Sequence, residues 1–448
     1  MKLPAYPKYK PSGVEWLGDV PEHWEAKRLK YSASINDEAL PETTPPDFEF
    51  EYVDIGGVSA VDGITATEQV VFENAPSRAR RKVRHGDTIV STVRTYLRAI
   101  APIKNPPENL IVSTGFAVLR PRKVEPTFLA YALRESSFIE SVVARSTGVS
   151  YPACNASEVG GISIPLPTLA EQRAIAAFLD QETGQVDRLV AKKRKLIERL
   201  KEKRTALISR TVTRGLPPAA ALPAHPPLKP SGIEWIGDMP KHWVVKSLTR
   251  ITGSIRNGTS ATQLEDESDT AVPVTRIETI SGGQINFERV GQVERTPGLE
   301  VYRLKRGDIL LSHINSLSMV GNCAIYDSDQ PLYGGMNLLR IRPEPTVHSR
   351  WLWRVLSSDG IRKEIGARAK PAINQASVTT TQIKALQLAV PPLPEQSAIA
   401  VYLDTETAKL DALVGKVEAA VERLQEYRTA LITAAVTGKI DVRKVAQC

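Results

Sequence analysis

Apolar residues at Leu410, Leu413, Val417, Ala420, Leu424, Tyr427 and Leu431 step by three and four through a stretch with no internal proline. That spacing is the heptad period of a helix with one buried seam. The stretch 395–438 is the second copy of 171–214, with Thr205-Ala206-Leu207-Ile208 returning as Thr429-Ala430-Leu431-Ile432 at an unchanged offset of 224 residues. The equivalent seam is Val186, Leu189, Lys193, Leu196, Leu200, Lys203 and Leu207, in which lysine stems can lie along apolar surface while the ammonium reaches water. Loops tolerate insertions cheaply, so two copies of equal length predict rods whose length matters. At 1.5 Å per residue, a seam of about 30 residues makes a rod of roughly 45 Å.

Elsewhere the pattern changes to short β-like runs at 50–55, 115–119 and 338–341, then one helix at about 126–144 or 347–367, then a last strand near 161–165 or 385–390. A second repeat frames these stretches: KPSGVEWLGDVPEHW (10–24) returns as KPSGIEWIGDMPKHW (229–243), identical at 11 of 15 positions. A Gly-Asp turn leading into an apolar strand, Gly86-Asp87 and Gly307-Asp308, is the one other piece the two stretches share. The predicted fold class is α/β, with two α/β recognition domains separated by two long helices that form an antiparallel coiled coil, a pseudo-two-fold internal repeat. The expected divisions are a first recognition domain at 1–165, a first spacer helix at 166–215 and a proline-rich linker at 216–230. A second recognition domain at 231–390, a second spacer helix at 391–440 and a tail at 441–448 complete the chain.

Composition narrows the function less than the repeats do. The 448 residues are 42% hydrophobic and 24% charged, ordinary globular material, and no run reaches the 18 apolar residues of a membrane span. Cys154, Cys323 and Cys448 are too scattered for a disulfide framework or a zinc site and fit a reducing, cytoplasmic setting. A net charge of +8 is compatible with nucleic acid without requiring it.

No glycine-rich turn for S-adenosylmethionine, no phosphate loop and no metal-spaced histidines are present, so neither a catalytic residue nor a metal site is assigned and the chain reads as non-catalytic. Asn105-Pro106-Pro107-Glu108 approaches an adenine methyltransferase motif but carries Glu108 where an aromatic residue would stack on the flipped base. The basic run Arg78, Arg80, Arg81, Lys82 and Arg84 can neutralise phosphates, although a solvated loop explains it equally well. Residues 192–204 hold eight basic and two acidic side chains against three of each at 416–428, so one rod has a basic face that the other lacks. Arg, Asn and Gln make bidentate contacts to bases. On probable loops the candidates are Arg94, Arg98, Arg256, Asn257, Arg276, Asn315, Asn374 and Gln375, with Tyr96 and Tyr151 placed to pack on sugar or base.

Same frame with different contents points to two readers of two different things. The chain resembles the specificity subunit of type I restriction–modification systems. The resemblance rests on Glu15-Trp16-Leu17-Gly18 and Glu234-Trp235-Ile236-Gly237, on Pro21 and Pro240, on the Pro-Leu-Pro…Glu-Gln segments at 165–172 and 391–396, and on the Thr-Ala-Leu-Ile exits. It covers nearly the whole chain. It implies two target-recognition domains, each reading half of a split DNA sequence. It further implies rods that bind two modification subunits, with S-adenosylmethionine and ATP on partner subunits only, no cofactor in this chain, and possible company from restriction subunits. It places Glu171, Gln172, Ile175, Leu179, Glu395, Gln396, Ile399 and Leu403 in helical segments near the partner interface. Two other classes remain open at this point: a self-contained DNA methyltransferase or nuclease, and a coiled-coil scaffold that binds no DNA.

Overall fold

The computed structural model describes residues 4–59, 63–149, 151–218, 226–264, 270–372 and 375–444. Two compact units emerge, 1–194 with 419–448 and 195–418. Each therefore contains one head and a part of both long helices, α4 (Leu169–Arg214) and α8 (Leu393–Val436).

The two heads share a four-stranded antiparallel sheet with the same strand order. In the first unit it runs Ile100–Pro102, Thr88–Ser91, Phe116–Pro121, Ala33–Ile35. In the second it runs Cys323–Ile325, Ile309–Ser312, Leu338–Pro343, Thr252–Asn257. Thr88–Ser91 and Ile309–Ser312 are buried at every residue, which is why adjacent apolar residues, Ile89-Val90 and Ile309-Leu310-Leu311, replace an in-and-out alternation. The Gly-Asp turn ahead of each is held in the same way. Asp87 accepts two hydrogen bonds from the Arg120 guanidinium, at 3.0 and 2.9 Å, while Asp308 accepts two from Arg342 at 2.7 Å. Both aspartates are 1% exposed, so the bidentate arginine is what makes their burial tolerable.

Beyond these sheets the heads diverge. The first carries a mixed sheet ordered Glu68–Val71, Glu49–Val53, Leu110–Ser113, Ala79–Lys82, with the middle pair parallel. The second has a hairpin of Ala271–Val274 with Gly291–Glu294 and a small sheet of Ile314–Asn315, Gln375–Ser377 and Lys370–Ala372.

The single helix expected after each sheet is two. In the first head α1 (Pro126–Leu133) is followed by α2 (Ser136–Ala144), with Glu135 accepting a 3.0 Å bond from the Phe138 amide as the new N-cap. A short α3 (Ala156–Gly161) precedes the strand Ser163–Leu166. The second head has α5 (Ser349–Leu356), α6 (Asp359–Arg368) and α7 (Thr380–Lys384), then the strand Gln387–Val390. Ser358 is the N-cap residue between α5 and α6.

Within each unit the long helices run antiparallel. In the first, Glu171 faces Arg443 and Asp187 faces Arg428; in the second, Arg204 faces Asp411 and Gly215 lies against Glu395. Asp187 and Asp411 are 224 positions apart, as are Arg204 and Arg428, so the two ion pairs are the same pair with the helices exchanged. In each the aspartate is about half exposed while the arginine is part-buried, Arg428 at 13% and Arg204 at 38%, so the pair marks the register beside the apolar burial of the seam.

The seam differs from the expected one by one residue at alternate steps. Val186, Leu200 and Leu431 are buried and Leu207, Leu410 and Leu424 partly so, with Val417 buried too. Leu189 (43% exposed), Leu196 (42%), Leu413 (43%) and Tyr427 (51%) point outward, and Val190, Ile197, Val414 and Arg428 take the inward places. Both phases pass through 186, 193, 200 and 207, and each choice at 189/190 or 196/197 is apolar, so periodicity alone does not decide. The helix starts decide: Ile175, Leu179 and Thr183 pack against the head at intervals of four and carry that face forward to Val186 and Val190. No helix among the described residues is long and apolar enough to cross a membrane.

Candidate nucleic-acid interface

The repeated motifs turn out to be braces. Glu171 is 5% exposed, and its carboxylate meets His23 Nε2 at 2.8 Å, Thr168 Oγ1 at 2.9 Å and Arg443 at 3.4 Å. Burial alone would raise its pKa, but hydrogen bonds from His23, Thr168 and Trp24 outweigh it and hold the carboxyl below the ordinary glutamate range. Glu395 repeats the arrangement with His242 at 2.7 Å and Trp243 Nε1 at 3.1 Å. Gln172 accepts from the Glu125 amide and donates to the Pro167 carbonyl, both at 2.8 Å; Gln396 does the same with His348 at 2.8 Å and Pro391 at 2.9 Å. Ile175, Leu179, Ile399 and Leu403 are fully buried in their own units. The eight residues expected near a partner interface thus lie in the long helices, as placed, but hold a head to its rod: all are buried except the partly exposed Glu395.

A second lock joins each head to α4 or α8 with different chemistry. Tyr131 Oη bonds Asp180 and Thr183, both at 2.9 Å, whereas Arg354 bonds Asp404 at 2.7 Å and Thr407 at 3.1 Å. The helix residues correspond across the 224-residue offset; the head residue has changed from tyrosine to arginine.

The basic run does not form one patch. Residues 79–82 are a strand, in which Arg80 stacks on the Phe72 ring at 4.6 Å and Arg81 is half-buried with its Nε unpartnered. Arg84 is tied to Glu38. Arg78 and Lys82 stay exposed, and the Arg78 carbonyl accepts from the Thr114 amide at 2.7 Å.

The structure does gather Arg94, Tyr96, Arg98 and Tyr151 into one loop cluster. The strand Thr88–Ser91 ends on Thr92, which is bonded to the Gly115 carbonyl through both its amide and its hydroxyl. A turn at Thr95–Leu97 follows, flanked by Arg94 and Arg98 in left-handed conformation at φ 52° and 53°. Such angles are costly for long side chains and persist only when surroundings enforce them. Here the Arg94 amide donates to Pro152 O at 2.8 Å, Val93 pairs with Ala153, and the Thr95 and Ser146 hydroxyls meet at 2.7 Å. The Arg94 guanidinium lies 4.9 Å over the Tyr151 ring, Tyr96 is 55% exposed at the tip, and Arg98 is paired with Glu140.

In the second head Asn315 sits on the strand Ile314–Asn315, paired with Ala376 beside the exposed Gln375, while Asn374 lies outside the described residues. Arg256 and Asn257 end the strand Thr252–Asn257, both exposed. Arg276 donates to Gln263 and lines an open hollow of about 370 Å³ with Thr259, Glu278, Met336 and Asn337. The close backbone approach beside it escaped the sequence reading: a Cβ on Gly258 would lie 2.0 Å from the Gly334 carbonyl oxygen. A Gly-Gly pair at 334–335 was the only available signal.

The family model for the type I restriction modification DNA specificity domain matches residues 21–199 and 240–423. A Methanocaldococcus jannaschii chain named for the MjaX type I restriction enzyme specificity subunit is 39% identical over 205 residues, 44% of this chain and 46% of that relative. The alignment therefore spans less than half of that relative. The MjaVIII specificity subunit of the same organism is 25% identical over 447 residues, 95% of each chain. A solved structure described by complex assembly and conformational transition of the type I R-M system superposes with a TM-score of 0.70 at 25% identity, covering 94% of this chain and 99% of that one. Two halves matched in turn by one family model, with two heads on one frame, lead to a single assignment: the chain belongs to the type I restriction modification DNA specificity family, as a non-catalytic DNA-recognition subunit.

Proposed function

We propose that the chain reads a split, asymmetric DNA sequence, one half-site per head, and directs adenine methylation by two copies of a modification subunit. Those partners carry the S-adenosylmethionine, and restriction subunits that use ATP join the same assembly. The observation that carries this reading is the division of each unit into a repeated part and a divergent part. The repeated part comprises the Glu-His-Trp braces, the Asp-Arg turns and the helix ion pair. The divergent part comprises the loops at the ends of the buried central strands. Features held in common fit whatever is identical at the two sites; features that differ fit whatever differs between them. Identical partner subunits and unlike half-sites answer that description.

Leu189 and Leu413 are the equivalent outward leucines of the two rods, each 43% exposed, and give each unit the same apolar foothold. Reconstitution with the modification subunits, followed by mapping of methylated adenines, tests the reading. A bipartite recognition sequence is expected, and Leu189→Asp or Leu413→Asp each lowers the bound modification subunits from two to one. Methylation without sequence preference, or two retained partners in the double variant, speaks against it.

A further inference from the structure

We propose that Arg94 is the guanine-reading residue of the first head, held for that task by Tyr151, and that Asn315 is its adenine-reading counterpart in the second. The proposal rests on the DNA-reading function above and names what reads a base. Alignment of the two central strands places Ser91 opposite Ser312, so the third residue beyond each is Arg94 and Asn315. Both positions follow the buried end of the strand, and both open a loop cross-linked to the segment behind the second helix of the head. Val93 pairs with Ala153 in one; Asn315 pairs with Ala376 in the other. Two positions further on, each loop exposes an apolar tip, Tyr96 at 55% and Leu317 at 61%. The frame is shared and the side chains differ, as readers of unlike half-sites must.

Backbone geometry singles out Arg94. Of the four non-glycine residues with positive φ among those described, two are asparagines, which tolerate it; the others are Arg94 and Arg98, on either side of one turn. Arg98 is occupied by Glu140. Among the described residues Arg94 has no carboxylate partner, its side chain is exposed, and its guanidinium carbon lies 4.9 Å from the centroid of the Tyr151 ring. An arginine fork matches guanine O6 and N7, whereas an asparagine amide matches adenine N6 and N7. The Asn315 Oδ1 here accepts from the Ser316 amide at 2.7 Å and its Nδ2 lies 3.5 Å from the Ser312 hydroxyl, so reading adenine requires the amide to turn outward from these local bonds. Contact with the Tyr151 ring restricts the guanidinium before DNA arrives, so less orientational freedom is lost on contact.

The test uses the full complex with its modification subunits on a random-sequence DNA library, reading methylated sites. Wild type is expected to require guanine at one position of one half-site. Arg94→Ala and Arg94→Lys should lower discrimination at that position from roughly 10-fold or more to near unity, with the other half-site unchanged, because lysine keeps the charge but loses the fork. Tyr151→Leu should weaken the same position in part, and Asn315→Ala should relax one adenine of the other half-site. An unaltered recognition sequence with Arg94→Ala overturns the proposal. So does uniform weakening on every sequence with a salt slope smaller by about one, the mark of a phosphate contact. Loss of both half-sites with Arg94→Lys also counts against it. A wild-type complex with no sequence preference defeats the underlying function instead.

Discussion

Glu171 and Glu395 explain why a short Glu-Trp…His-Trp motif and a Glu-Gln pair some 150 residues away recur together: in each unit one carboxylate receives the histidine and the tryptophan of the other motif. The sequence displays both repeats but not their contact, because nothing in spacing says which buried partner a glutamate will find. Arg120 and Arg342 were invisible for the same reason: an arginine inside an apolar strand resembles a surface position until the buried aspartate beside it is known. Titration tests the first brace. The Glu171 carboxyl is held below its ordinary range, so its contribution is present above the unfolded pKa of about 4.3 and is lost as pH falls through the folded value. Glu171→Gln should therefore lower the melting temperature of the first unit most above about pH 4.3, with the gap to wild type closing as pH falls below that. A gap independent of pH would separate the brace from the ionisation of Glu171.

Among elements, the long helices were legible in extent and number, and their inward face was legible only to within one residue. Leu189 and Val190 are both apolar, and a single helix cannot say which neighbour it will meet; the packing of Ile175 and Leu179 on the head resolves it. The helix–helix ion pairs of each unit follow one antiparallel register, which makes a matched deletion the proper test of rod length. Removing 192–195 together with 420–423 should leave both half-sites recognised and alter the number of base pairs accepted between them. Methylation at the original spacing would show that rod length does not set it. The base-facing loops were the least legible elements. Arg94 and Tyr151 are 57 positions apart in sequence, and only the folded loop brings the ring beneath the guanidinium.

For the whole molecule, two units of common construction carry heads that differ beyond their shared sheet. Exchange of 244–390 for the corresponding part of another family member is expected to replace one half-site and preserve the other, read by adenine mapping. A change in both would mean that the heads do not act separately. The braces of the first unit carry a further meaning. Residues 4–9 are stitched to 438–443: the Asp441 amide donates to the Pro4 carbonyl at 2.7 Å, Tyr9 Oη donates to the Gly438 carbonyl at 3.0 Å, and Arg443 covers the Tyr6 ring at 4.9 Å. In the second unit the comparable seat has Gly215 against Pro240 and Trp243. In the first unit Gly438 lies against Pro21 and Trp24 in the same way. Both glycines are left-handed, at φ 76° and 80°, so a Cβ at either strains the backbone, and at Gly438 it would also lie 2.4 Å from the Pro21 ring.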